Sequence, residues 1–173
     1  MSGKQPVVTT NGPRSRKFVT TAVAVQAVIV NQARQLLLLR SPGRKQGWQT
    51  VSGALEAGET VLAGTWREIS EEIGSAAQVR PLGTVHIESF HYDTQVQFML
   101  GSYYLFAYLG GAIVPGDDMT GSEYRWWPLA EIEAGKATFH ETAKPWLLRR
   151  AVHLYDLWKD EVDVPLQLPL ASV

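Results

Sequence analysis

Two runs rich in Val, Ile and Leu, Val19 to Val30 and Gln35 to Arg40, flank the polar stretch Asn31 to Arg34, which predicts two sheet strands and a turn. Pro42 and Gly43 place Ser41 to Gln46 in a loop, and Trp48 to Val51 reads as a short strand leading into Ser52 and Gly53. From Thr60 to Ile73 the period changes. Leu62, Trp66, Ile69 and Ile73 fall at i, i+4, i+7 and i+11, one apolar stripe of a helix, and Gly74 stands where a left-handed C-terminal cap is needed. Strands are expected at Gln78 to Phe90 and Gln95 to Leu109, joined through Tyr92, Asp93 and Thr94, with another at Glu123 to Trp127. A short helix after Pro128 and a longer amphipathic one from about Glu141 to Lys159 complete the pattern. Strands and two substantial helices in mixed order give an α+β fold with helix layers on a sheet.

Residues 1–18 show no periodicity and read as a mobile lead-in, and the tail 161–173, with Pro165 and Pro169, is similar but more apolar. That leaves one domain at 19–160, as a chain of 173 residues predicts. With 45% hydrophobic and 19% charged residues it can bury a core and fold alone. A net charge of −1 and a pI of about 6.4 provide no cationic field to gather a nucleic-acid polymer. There are no cysteines, so disulfides, thiolate metal sites and cysteine nucleophiles are excluded, and the cytoplasm is the default compartment. Arg14, Arg16 and Lys17 before an apolar run resemble a secretory signal, but Gln26 and the threonines interrupt the run, and it is too short to span a bilayer.

The chemistry is concentrated on the helix. Glu68, Glu71 and Glu72 are spaced i, i+3 and i+4, so the three carboxylates are expected to share a face opposite the apolar stripe. Like charges at that spacing cost an isolated helix roughly 0.2–0.5 kcal/mol per pair, and a bound cation would relieve the cost. Oxygen donors without Cys or clustered His favour Mg²⁺, Mn²⁺ or Ca²⁺ over zinc or copper. Taken alone, Ser70-Glu71-Glu72 is an ordinary solvated face. Its setting argues otherwise: Gly53, then Glu59 after five residues, Arg67-Glu68-Ile69 after seven more, and Glu71-Glu72 followed by Ile73-Gly74. Such identities at fixed offsets coincide by chance with a probability on the order of 10⁻⁸ per register.

This spacing resembles the signature of the Nudix hydrolases. The resemblance implies an α/β/α sandwich around a mixed sheet, and a loop-helix-loop element that holds Mg²⁺, or Mn²⁺ in its place, against a substrate diphosphate. By position, Glu68 and Glu72 resemble the principal metal ligands, and Glu71 a third ligand or the base. Arg67 resembles the arginine that orients a glutamate, Glu59 the acid paired with the loop, and the Ser52 carbonyl a further ligand. Two features depart from the pattern: Ser75 replaces an aliphatic residue, and Val51-Ser52 replaces the usual Pro-Gly, which restrains the loop at Ser52.

Trp48 to Gly53, with Leu55-Glu56 and Gly58-Glu59-Thr60, locally resembles the branch that hydrolyses dihydroneopterin triphosphate and deoxynucleoside triphosphates. Trp48, Phe98 and Glu123 are candidate substrate contacts, Glu123 also a candidate ligand or base, as are Asp117 and Asp118. The other aromatics of the second half read mainly as core, with one or two expected to stack on the substrate, and His91 and His140 read as surface or structural. The expected activity is hydrolysis of a diphosphate linkage in a small nucleotide-like substrate, and the resemblance is compatible with a homodimer. The alternatives are a non-catalytic nucleotide sensor on the same fold and hydrolases of ADP-ribose, nucleotide sugars or dinucleoside polyphosphates. The isomerase branch, which works with a cysteine, is excluded.

Overall fold

The structure, a computed structural model, describes residues 7–9, 14–42, 47–93, 96, 98–116 and 119–161. Strands β1 (Val7–Thr9) and β2 (Lys17–Val19) form a small antiparallel ribbon. A second, six-stranded sheet is built from β3 (Val23–Val30), β4 (Gln35–Arg40), β5 (Val51–Ala54), β6 (Gln78–Phe90), β7 (Met99–Gly110) and β8 (Glu123–Pro128). Its order is β6-β7-β3-β4-β8, with β5 also on β3. The helices are α1 (Val61–Ile73), α2 (Leu129–Glu133) and α3 (Pro145–Trp158).

β3 is the axis of the sheet, and the run of apolar residues in it is what a strand covered on both faces requires. It pairs in parallel with β7 from Val23↔Leu100 to Val30↔Ala107, and antiparallel with β5 from Ala24↔Ala54 to Ala27↔Val51. The sheet is therefore mixed. Alternation along the strands separates two cores. Ala27, Ile29, Leu37 and Leu39 pack with Leu62, Ile69 and Ile73 of α1, while Val28, Val30, Leu36 and Leu38 pack with Leu147, Leu148 and Ala151 of α3. The result is the expected α/β/α sandwich.

Several element boundaries differ from the sequence expectation. Residues 7–9, inside the expected lead-in, pair with 17–19, and the run beginning at Val19 splits into β2 and β3. The short strand lies later: Gln49 bridges Leu39 and Trp48 bridges Phe139, and continuous pairing to β3 begins only at Val51. β7 begins at Met99. The last helix begins at Pro145, because proline disfavours a helical conformation in the residue before it. Glu141–Ala143 is accordingly a 3-10 turn, and Lys144 is extended at φ −58°, ψ 127°.

Candidate active site

Helix α1 starts at Thr60, whose hydroxyl accepts a hydrogen bond from Ala63 N at 3.2 Å, and ends at Gly74, at φ 87°. Burial of Leu62, Ile69 and Ile73 fixes its rotation. Glu68 and Glu72 each precede a core isoleucine, so they lie roughly 100° from the apolar stripe instead of opposite it. This corrects the expected position opposite the stripe, and both side chains are buried, Glu68 at 9% exposed and Glu72 at 2%. Both pack against β5. Ser52 N donates to Glu72 Oε2 at 3.2 Å, and the Glu68 carboxylate fills the space where Gly53 has no side chain, Oε1 lying 2.0 Å from an ideal Cβ built there.

Arg67 ties the group together. Its Nε and Nη2 donate to the two Glu59 oxygens at 2.9 and 3.2 Å, Nη1 donates to Glu68 Oε1 at 2.7 Å and Glu71 Oε2 at 2.9 Å, and Nη2 reaches Ala54 O at 2.8 Å. The Arg67 hydrogen bond, followed by that from Glu56 N, holds the Glu59 carboxyl below its ordinary value. Glu59 in turn holds the Arg67 guanidinium above its own, against the opposing effect of burial. Gly64 is explained by the same loop, since a Cβ there would lie 2.6 Å from Leu55 Cδ1 and 2.9 Å from Glu59 Oε2. The close neighbours are loop side chains, not another backbone.

Among the described residues no three acidic or histidine side chains stand together in metal-ligand geometry. Glu68 and Glu71 converge on Arg67, and Glu72 turns to Ser52 N, so the three carboxylates do not meet at one point. The donor set nevertheless fits a hard divalent ion. Its donors are all oxygens, two of the carboxylates are buried, where charge requires compensation, and a guanidinium cation already stands between two of them.

The β5 segment Ser52–Ala54 is also one wall of a cavity of about 450 Å³. Gln26, Glu88, Phe90, Tyr103 and Lys144 contribute to the other walls. Lys144 Nζ donates to both Glu88 oxygens, at 2.7 and 2.9 Å, and Tyr103 OH donates to Oε1 at 2.9 Å. Burial pushes the Glu88 carboxyl up, but these partners outweigh it and the net shift is downward. Burial and the adjacent Glu88 both push the Tyr103 phenol up.

The NUDIX domain model matches residues 20–149. The chain belongs to the Nudix family. It is a pyrophosphohydrolase acting on nucleoside diphosphate derivatives, in a family whose hydrolases generally use divalent metal ions. Curated proteins give no sequence match. Solved structures share its fold and are distant from it in sequence. A MutT protein from Methanosarcina mazei Go1 is 21% identical, TM-score 0.60, over 77% of this chain and 94% of its own. A C. elegans Ap4A hydrolase is 20% identical, TM-score 0.59, over 80% and 100%. The E. coli dihydroneopterin triphosphate pyrophosphohydrolase is 19% identical, TM-score 0.53, over 78% and 94%.

In this Nudix chain Arg67 gathers Glu59, Glu68 and Glu71, while Glu72 bonds to Ser52 N. The structure does not bring the three proposed substrate contacts to the cavity beside them. Trp48 is a core residue, 6% exposed and edge-on to Trp127 at 5.2 Å. Glu123 pairs with Arg40 at 2.6 Å beside a separate groove, because β8 lies across β4 from β3. Phe98 precedes β7, and its carbonyl accepts a hydrogen bond from Thr21 Oγ1; the cavity is lined by its neighbours Val96 and Met99. Asp117 and Asp118 lie outside the described residues. Sequence reasoning missed Gln26, Glu88, Lys144 and His140 as cavity residues, and the one available signal was a glutamine inside an apolar strand. Among the described residues no helix is long and apolar enough to cross a membrane.

Proposed function

We propose that the protein is a Mg²⁺-dependent hydrolase of a (deoxy)nucleoside triphosphate or a related pterin triphosphate. The supporting observation is the burial of Glu68 and Glu72 against the Ser52–Gly53 backbone, which is also a wall of the cavity. Glu68 and Glu72, with the Ser52 carbonyl, would hold the ion; an all-oxygen set suits a hard divalent cation, and we assign Mg²⁺ with Mn²⁺ as substitute. The chemistry such an ion would supply is a lowered pKa for a water and charge neutralisation on the phosphoryl oxygens.

The remaining steps belong to the chain. Glu71 has the most exposed side chain of the Arg67 cluster, 37% against 11% for Glu68, which suits it to accept the proton of the attacking water or to add a ligand. Arg67, clamped by Glu59, positions Glu68 and Glu71. The water oxygen bonds to phosphorus as the anhydride P–O bond breaks, leaving a monophosphate and pyrophosphate. We place the protein in the cytoplasm as a homodimer, on its composition and on the family resemblance.

The test is a panel of deoxynucleoside triphosphates, dihydroneopterin triphosphate, ADP-ribose, nucleotide sugars and dinucleoside polyphosphates, assayed with Mg²⁺. At least one is expected to turn over, and Glu72→Gln to lower that rate by at least about a hundredfold. Equal rates for wild type and variant would remove the site from α1.

A further inference from the structure

Strand β6 closes one end of the sheet order, and among the described residues no strand pairs with its outer side. Its 13 residues leave a row of backbone donors and acceptors there, which proteins ordinarily cover or blunt. The neighbouring ladders show which residues own those groups. Leu55 N donates to Val23 O and Leu100 N to Ala22 O, so the odd-numbered residues of β3, which face α1, bond towards β5, and the even-numbered ones, which face α3, bond towards β7. For L-residues, strand direction and facing side together fix the bonding side. In β6, which runs against β7 and β3, residues facing α3 therefore bond to β7. Ile87 and Ser89, in register with Ser102 and Leu100 and through them with Val25 and Val23, face α1 and point their N–H groups at the outer edge.

The chain returns to this edge. α3 ends at Trp158, and Arg80 of β6 donates to the carbonyls of Lys159 and of Glu161, the latter at 2.6 Å. Residue 162 thus starts beside the first residues of β6, and nine extended residues reach about 30 Å, most of the run from Arg80 to Phe90. Residues 162–170 read Val-Asp-Val-Pro-Leu-Gln-Leu-Pro-Leu, in which every even position is apolar and both prolines are odd. In a strand running with β6 along its outer side, residues facing α3 bond inward. Setting the even positions there turns the missing N–H of Pro165 and Pro169 to solvent, so neither proline costs a ladder bond. It also lays the apolar side chains against a flank of α3 that overhangs β6. Trp146, Arg150, Leu154 and Trp158 form that flank at i, i+4, i+8 and i+12. Trp146 is 41% exposed and stands edge-on to His86 at 5.0 Å, and a Cβ on Gly83 would lie 3.0 Å from Trp158 Cζ3.

We propose that residues 162–170 add a strand to the sheet, parallel to β6 on its outer side, with Val162, Val164, Leu166, Leu168 and Leu170 under α3. Tether, proline parity and apolar flank each select this one arrangement. The added strand braces the one that carries Glu88 and Phe90, two walls of the cavity.

The test is amide hydrogen exchange, read by NMR on the full chain. The N–H groups of Ile87 and Ser89 are expected to exchange at least about tenfold more slowly than solvent-exposed amides. Leu168→Pro, which removes an inward N–H, is expected to return both to the exposed rate, whereas Gln167→Pro, which removes an outward one, leaves them protected. Unchanged amides at Val28 and Ile29 on the central strand mark an intact fold in both variants. Unprotected Ile87 and Ser89 in the wild type, or equal effects of the two prolines, overturn the proposal. Protection that grows with protein concentration assigns the edge to a second copy of the chain and overturns it as well.

Discussion

At the scale of the residue, Gly53 shows how an absent side chain makes a site. The Glu68 carboxylate occupies the volume a Cβ would take, so Gly53→Ala must move that carboxylate. What moves is the end of a flexible side chain and not backbone, so the cost falls on activity more than on folding. Gly53→Ala is expected to change stability by about 1 kcal/mol or less in a urea titration and to lower divalent-dependent turnover by about tenfold or more. A variant that unfolds readily yet keeps its specific activity would reverse that order. The residues of this network were legible in the sequence because their spacing from Gly53 to Gly74 is fixed by one loop and one helix. Gln26, Glu88, Tyr103 and Lys144 come from three strands and the residue before α3, and no local spacing links them.

At the scale of the element, α1 depends on its ends. Thr60 supplies a side-chain cap to the helix, and the bond it accepts from Ala63 N satisfies one of the first-turn donors. Thr60→Ala is expected to cost about 1 kcal/mol and to lower the melting temperature by about 2–4 °C, measured by circular dichroism. An unchanged melting temperature would mean that packing of Leu62, Ile69 and Ile73 carries the helix without the cap. Periodicity located this helix almost to the residue, since its apolar stripe meets a core on one side. It misjudged where the glutamates face, because a stripe reports the buried direction towards the sheet and is silent about a strand leaning on the flank. The same limit explains β5 and α3, whose starts depend on pairing with β3 and on Pro145.

At the scale of the molecule, ion-paired carboxyls lie on both sides of the sheet. Glu59, by α1, and Glu88, in the cavity, both lie below the ordinary 4.5 in the folded chain. Each binds its proton less readily folded than unfolded, so its contribution is fully present above about pH 4.5 and is lost as pH falls through the lower folded value. Stability from urea titrations is therefore expected to decline below that point, less steeply in Glu88→Gln. An identical slope in the variant would assign the decline to other carboxyls. The layering of helices on a sheet was readable from element order and the mixed sheet was implied by the family resemblance, while the meeting of two faces at β5 was not legible in either.

That strand is only four residues long, and its ladder to β3 runs from Ala24↔Ala54 to Ala27↔Val51. A partition so thin transmits displacement. On the proposed function, a substrate group that sits badly in the cavity would shift the peptide units on which the acidic groups rest, and such a substrate is expected to lose speed of bond cleavage as well as tightness of binding.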